Sequence, residues 1–111
     1  MDESDLEAAL RNYGIDVQSL DAGDPVEFAY LTAHPGLKAD HSEMGRALNA
    51  FIDLAKEDEW EPNRVEATVL RSDDDVLDTW HADPEWFVDL NAYKISETEF
   101  STRVLDTLDE R

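Results

Sequence analysis

The amino-acid sequence predicts a single α+β domain over residues 1–111, in which a four-stranded antiparallel sheet packs against one long central helix. Three observations predict this fold. One long segment carries apolar residues at helical spacing, two pairs of segments alternate as strands do, and the remaining periodic segments are short helices. The predicted order is helix, hairpin, long helix, hairpin, helix, helix. Two hairpins can join into one sheet, whose apolar face the helices would cover.

The first helix and the first hairpin occupy the N-terminal part of the chain. Ser4 and Glu7 predict a capping box at the start of the helix, and Gly14 stands where the residue after a helix end is expected. Alternating residues in Ile15–Gln18 and Val26–Ala33 then predict two strands. Turn-forming residues separate them, so the pair is expected to form a hairpin.

The long central helix is predicted from Asp40 to Trp60. Its apolar residues, from Met44 to Ala55, recur at i, i+3, i+4, i+7, i+8 and i+11, the pattern of one helical face. Asp40 and Glu43 predict a second capping box. Pro62 is expected to end the helix, because proline lacks the backbone N–H that a further turn would need.

The second hairpin and two short helices complete the domain. The segments Arg64–Arg71 and Val76–His81 alternate on either side of an acidic turn, which predicts a second pair of strands. Asp83 followed by Pro84 predicts a helix start with a capping side chain, and Ser96 predicts the cap of the last helix.

Net charge is the strongest signal in the composition. The chain has 28 Asp and Glu against 9 Lys and Arg, a formal net charge of −19. The acidic residues are spread along the whole chain, as in proteins adapted to high salt, where ~1 M salt shortens the Debye length to about 3 Å and screens the self-repulsion. Nucleic-acid binding is disfavoured, since no basic stripe is present to neutralise phosphates.

Cysteine content and hydropathy exclude further classes of site and location. The chain has no cysteine, which excludes disulfides, thiolate metal sites and thiol nucleophiles. No apolar run approaches the ~20 residues that span a bilayer, and the acidic N-terminus lacks the features of a signal peptide. We therefore expect a cytoplasmic protein with no membrane contact and no cofactor.

Histidines at two strand ends suggest a first candidate site. Thr32-Ala33-His34 and Thr79-Trp80-His81 each end a predicted strand. A pseudo-two-fold relation between the hairpins would place His34 and His81 at equivalent positions, whereas chance similarity of short triplets is the alternative. With His41 these histidines are candidate ligands for a divalent metal ion, since imidazole is a common metal ligand. The alternative for His41 is an exposed residue of the first helical turn.

Aromatic residues around a histidine suggest a second candidate site for a small ligand. Trp80 and Trp86 bracket His81 at a strand-to-helix junction, with His34 at the related strand end. Such a junction can form an aromatic-walled pocket, and a histidine that titrates near neutrality can act as an acid, a base or a switch. The alternative is that both tryptophans anchor the core.

The sequence contains no recognisable arrangement of catalytic residues, and no catalytic residue is predicted. The six serines include none in a Gly-x-Ser-x-Gly elbow, and the four glycines form no phosphate-binding loop. A non-enzyme is therefore favoured over an enzyme. A hydrolase would require a serine or a carboxylate in a deep cleft beside a histidine.

Three phrases of the sequence resemble the small acidic conserved proteins of haloarchaea, a group without assigned function. They are the segments YLTAHPG (30–36), NAFIDL (49–54) and EFSTRVLDTL (99–108). The resemblance implies a cytoplasmic, high-salt setting and implies no activity.

The leading hypothesis is a non-enzymatic protein-interaction or regulatory module that binds a protein partner or a second copy of itself. The alternative is a small-ligand or divalent-metal-binding protein that uses the region of His34, His41 and His81. A pocket joining the two Thr-x-His strand ends would favour the alternative. His34 and His81 at opposite ends of the sheet would remove it.

Overall fold

The computed structural model describes residues 2–34, 36 and 38–108, which fold as four helices and a four-stranded sheet. The α+β class is thus confirmed. None of the helices in these residues is long and apolar enough to cross a membrane. In chain order the elements are α1 (Glu3–Asn12), β1 (Asp16–Asp21), β2 (Val26–Leu31), α2 (His41–Lys56), β3 (Val65–Ser72), β4 (Asp75–Ala82), α3 (Pro84–Asn91) and α4 (Glu97–Leu105).

The sheet is mixed, and the prediction of a purely antiparallel sheet was wrong. Its strand order is β1-β2-β3-β4, with both hairpins antiparallel as predicted. The central strands are parallel, with Val26 opposite Val65 and Leu31 opposite Leu70. The reason is the connection: α2 carries the chain from the end of β2 back to the level where β2 began, so β3 runs in the same direction. The alternation of residues within each hairpin does not show whether the neighbouring strands of the two hairpins, β2 and β3, pair in parallel or antiparallel.

Helix α2 supplies the centre of the hydrophobic core, as predicted. Phe51 is 0% exposed. Its ring centroid lies 5.9 Å from that of Phe28 on β2, 5.0 Å from that of Trp60 and 6.5 Å from that of Phe87 on α3. The sheet, the central helix and α3 therefore meet at one side chain.

Two helix caps differ from the predicted ones. Asp2 caps α1 in place of Ser4, and its Oδ1 accepts the amide N–H of Asp5 at 2.9 Å. Asp83 stands at the N-terminus of α3 as predicted, but its side chain makes no capping hydrogen bond. Its Oδ1 accepts instead from Arg64 Nη1 at 2.7 Å, which ties the start of α3 to β3.

The start of α2 has the predicted cap and an unpredicted buried carboxylate. Asp40 Oδ2 accepts the amide N–H of Glu43 at 3.1 Å. The side chain of Glu43 does not complete the capping box, since its Oε2 accepts the amide N–H of Ala33 at 2.9 Å. Glu43 is 1% exposed and links α2 to the segment after β2. The helix ends at Lys56, and Trp60 packs beyond it as a buried residue.

Candidate functional site: the open face of the sheet

One face of the sheet lies outside the helix-covered core. All four helices contribute to the hydrophobic cluster on the other face of the sheet. None of the strand residues that point to this open face belongs to that cluster. Cross-strand pairing arranges these residues in three rows, each with one residue from every strand. From β1 to β4, the acidic row is Asp21, Glu27, Glu66 and His81, the small-residue row is Ser19, Ala29, Thr68 and Thr79, and the leucine row is Asp16, Leu31, Leu70 and Val76.

The acidic row keeps a negative charge despite one nearby guanidinium group. Arg64 Nε donates to Glu66 Oε2 at 2.7 Å, and Arg64 also holds Asp83, as described above. The hydrogen bond with Glu66 raises the pKa of Arg64 above its ordinary value, and the charges of Glu66 and Asp83 add to the effect. Asp21 and Glu27 continue the row and are exposed. At this end of the sheet the four carboxylates of Asp21, Glu27, Glu66 and Asp83 thus outnumber the one guanidinium group of Arg64.

The small-residue row is the floor of a shallow trough that crosses the strands. A depression of about 310 Å³ lies over β1, β2 and β3, and one of about 270 Å³ lies over β3 and β4. Glu66 and Thr68 line both, so the two depressions adjoin. Charged residues make up 33% of the chain, yet the four floor residues carry no charge.

The leucine row forms an apolar patch separate from the main core. Leu70 is 8% exposed, although it is not part of the helix-side cluster. It is therefore covered on the open face, where Leu31 and Val76 are its cross-strand neighbours. Both neighbours are half-buried. On the open face the trough thus lies between the acidic row, which lines both depressions, and the leucine row, which lines neither and is apolar from β2 to β4.

The structure separates the three predicted metal-binding histidines. His34 follows the C-terminal end of β2, where the amide N–H of Thr32 donates to the carbonyl oxygen of Leu70 at 2.9 Å. His81 pairs with Glu66 near the other end of β3. His34 and His81 therefore lie at opposite ends of the sheet, because β2 and β4 run in opposite directions. The two Thr-x-His strand ends therefore do not meet.

His41 lies apart from both strand ends, on the first turn of α2. It is exposed and lines a groove of about 290 Å³ between α2 and α4, together with Ser42 and Ser101. The described residues do not include a group of three or more His, Asp or Glu placed to hold a metal ion.

The second predicted site is assembled only in part. His81 stacks on Trp86, with ring centroids 6.1 Å apart and planes at 23°. Trp80 points to the opposite face, where it is 2% exposed and its Nε1 donates to Tyr30 Oη at 3.2 Å. Burial raises the pKa of this tyrosine. Trp80 is therefore a core anchor, and ligand binding by His34, His81 or Trp86 stays a prediction.

Sequence reasoning missed the rows because they depend on strand register. Between the pairs Val69–Asp78 and Leu70–Val76 the register shifts, leaving Leu77 as an extra residue in β4. Asp78 stays on the core side with Trp80 by ordinary alternation and is 0% exposed, whereas the bulge adds Leu77 to the core and leaves Val76 on the open face. A simple alternation of Val76–His81 would have put Leu77 on the open face with His81. The acid pair of β2 and β3 likewise becomes visible only once those strands are known to be parallel.

Comparison with known proteins places the chain in a family. The family model described as "Domain of unknown function (DUF8159)" matches residues 1–111, and the chain belongs to this family. No curated protein matches the chain, and no solved structure does.

Proposed function

We propose that this member of the DUF8159 family is a non-enzymatic protein-interaction module whose open sheet face binds a positively charged segment of another protein. The observation that carries the proposal is the trough, an uncharged floor between the acidic row and the leucine row. A sheet face that only contacts solvent has no need to separate its acidic, uncharged and apolar residues into different rows. Interfaces commonly combine a desolvated centre poor in charge with a charged rim.

The charge of the chain supports a basic partner over other classes of partner. With a net charge of −19, two copies of the chain repel each other unless their contact is strongly favourable. Nucleic acid would bring phosphates toward Asp21, Glu27 and Glu66. A segment rich in Lys or Arg instead makes close contacts of opposite charge with these carboxylates, and such contacts are screened less than interactions over longer distances.

We place this module in the high-salt cytoplasm of a halophilic archaeon. The support is the even distribution of the acidic residues and the resemblance of the three sequence phrases to haloarchaeal proteins. In molar salt the Debye length is about 3 Å, so long-range steering is weak and close contacts dominate. A surface that works there needs apolar contact beside its charges, and the leucine row can supply it.

The test is a comparison of matched variants in capture experiments. Thr68→Arg introduces a long cation at the centre of the trough, and Ser19→Arg does the same at its exposed end. Asn49→Arg makes an equal charge change on the exposed side of α2. Each immobilised protein is offered the same cell extract in molar KCl, and captured proteins are identified by mass spectrometry. Melting curves establish that each variant is folded.

The expected result is a captured protein that is retained by the wild type and by Asn49→Arg but lost with both trough variants. The purified partner must then bind in solution, and reversing charges in its basic segment must abolish binding. Partners that all survive both trough substitutions would overturn the proposal. Sedimentation that showed a dimer of this chain, lost with Thr68→Arg, would replace the basic partner with a second copy.

A further inference from the structure

We infer that the segment bound by the open face is an amphipathic α-helix of about three turns that lies across the strands, with a basic flank on the acidic row and an apolar flank on the leucine row. This inference rests on the proposed function and specifies its partner. It follows from the width of the trough, its length and the chemistry of the two rows beside it.

The width of the trough suits a helix. The acidic and leucine rows are four residues apart along β2 and β3, as from Glu27 to Leu31, and five residues apart along β1 and β4, where each strand has a bulge. At about 3.3 Å per residue the rows are separated by about 13 Å. An α-helix with its side chains is about 10 to 12 Å across, so one helix can touch both rows. A single extended chain centred on the floor would leave at least one row without contact.

The floor of the trough permits a close approach. Ser19, Ala29, Thr68 and Thr79 are all small, so the helix axis can come near the sheet without displacing them. Short helix residues such as Ala or Ser would lie against this floor. The three hydroxyl groups can exchange hydrogen bonds with polar helix side chains, which an apolar floor could not.

The length of the trough sets the length of the helix. Four strands at about 4.8 Å spacing span about 14 Å, which corresponds to about ten helical residues. Over that length each flank of a helix presents three side chains at i, i+3 or i+4 spacing. Three cations can therefore face Asp21, Glu27 and Glu66, and apolar side chains can face the half-buried Leu31 and Val76.

A pair of synthetic peptides tests the helical arrangement. One peptide carries Lys and Arg along one flank, Leu along the other and Ala and Ser between them. The second has the same composition, but its order mixes basic and apolar residues around the helix. Binding to the ¹⁵N-labelled full chain is followed by amide chemical-shift changes in molar KCl. Circular dichroism reports the helix content of each bound peptide.

We expect the first peptide to shift the amide signals of Ser19, Ala29, Thr68 and Thr79 and to gain helix content on binding. Thr68→Arg should weaken its binding by at least about tenfold, the effect of spoiling the centre of an interface. Asn49→Arg should leave binding unchanged. Arg64→Gln should strengthen binding, because it removes the guanidinium group from the acidic row.

Four other outcomes would contradict the helical form of the partner, its location on the open face or the proposed function. Equal binding of the permuted peptide to the open face would refute the helix while leaving a basic partner in place. Shifts centred on α1 or α2 would refute the location. If neither peptide bound while cellular capture still depended on Thr68, the helical partner would be wrong and the proposed function would stand. If capture were also independent of Thr68, both would be wrong.

Discussion

Replacing Phe51 by Ala tests whether α2 organises the fold. The side chain is fully buried and has aromatic neighbours on β2, after α2 and on α3, with ring centroids 5.0 to 6.5 Å away. Truncating a buried Phe costs about 3 to 5 kcal/mol, the sum of lost transfer free energy and the cavity left behind. We expect a loss of this size, because three separate elements would have to move to fill the cavity.

The loss should be large but not sufficient to unfold the domain. At about 0.05 to 0.15 kcal/mol per residue, a chain of this length has a free energy of unfolding of about 6 to 17 kcal/mol. At about 4 °C per kcal/mol, the melting temperature should fall by about 12 to 20 °C. Phe51→Leu should lose less, since the leucine side chain fills part of the cavity.

Urea unfolding in molar KCl, followed by tryptophan fluorescence, measures the free energy of unfolding of each variant. Val88→Ala is the matched control, because Val88 is also on a helix but is 52% exposed. It should change the free energy by about 0.5 kcal/mol or less. A loss below about 1 kcal/mol for Phe51→Ala would refute the central position of this side chain.

Three further predictions concern salt, pH and helix capping. The melting temperature should rise as KCl increases from about 0.1 M to about 1 M, because screening weakens the repulsion among 28 acidic residues; identical melts would contradict this. The hydrogen bond from Tyr13 to Asp53 raises the pKa of the tyrosine, so its contribution to stability is present below pH 10 and is lost as pH rises through the folded-state pKa. Tyr13→Phe should therefore lose stability at neutral pH and approach the wild type in strong base, as measured by urea unfolding across pH. Asp40→Ala should cost about 1 kcal/mol through the loss of the α2 cap, measured by urea unfolding against exposed Asp74→Ala as control.

Local periodicity was sufficient to predict the helices and strands, but not how they are joined. The apolar stripe of α2 predicted six of its nine buried side chains, since burial on one helical face is a local property of the sequence, but it did not include Glu43, Ala50 and Leu54. The parallel pairing of β2 and β3 depends on where a helix of 16 residues returns the chain, which is a tertiary property. The open face depends on that pairing, because its acidic row joins Glu27 to Glu66 only in the parallel register. His81 was singled out for its aromatic neighbours, and its place in the acidic row could not have been foreseen.

Asp78 carries a last prediction, on the cost of a buried carboxylate. Its Oδ1 accepts the amide N–H of Thr79 at 2.9 Å, while Oδ2 is buried and has no hydrogen-bond partner in the described structure. Because an uncompensated charge is more costly to bury than a neutral amide, Asp78→Asn should stabilise the protein, by about 1 to 3 kcal/mol. Asp74→Asn, an exposed change of the same charge, is the control in the same urea measurements. If Asp78→Asn destabilised the protein by a similar amount while the control did not, burying the two unpaired N–H donors of the amide would cost more than burying the carboxylate, and the reasoning about its charge would be wrong.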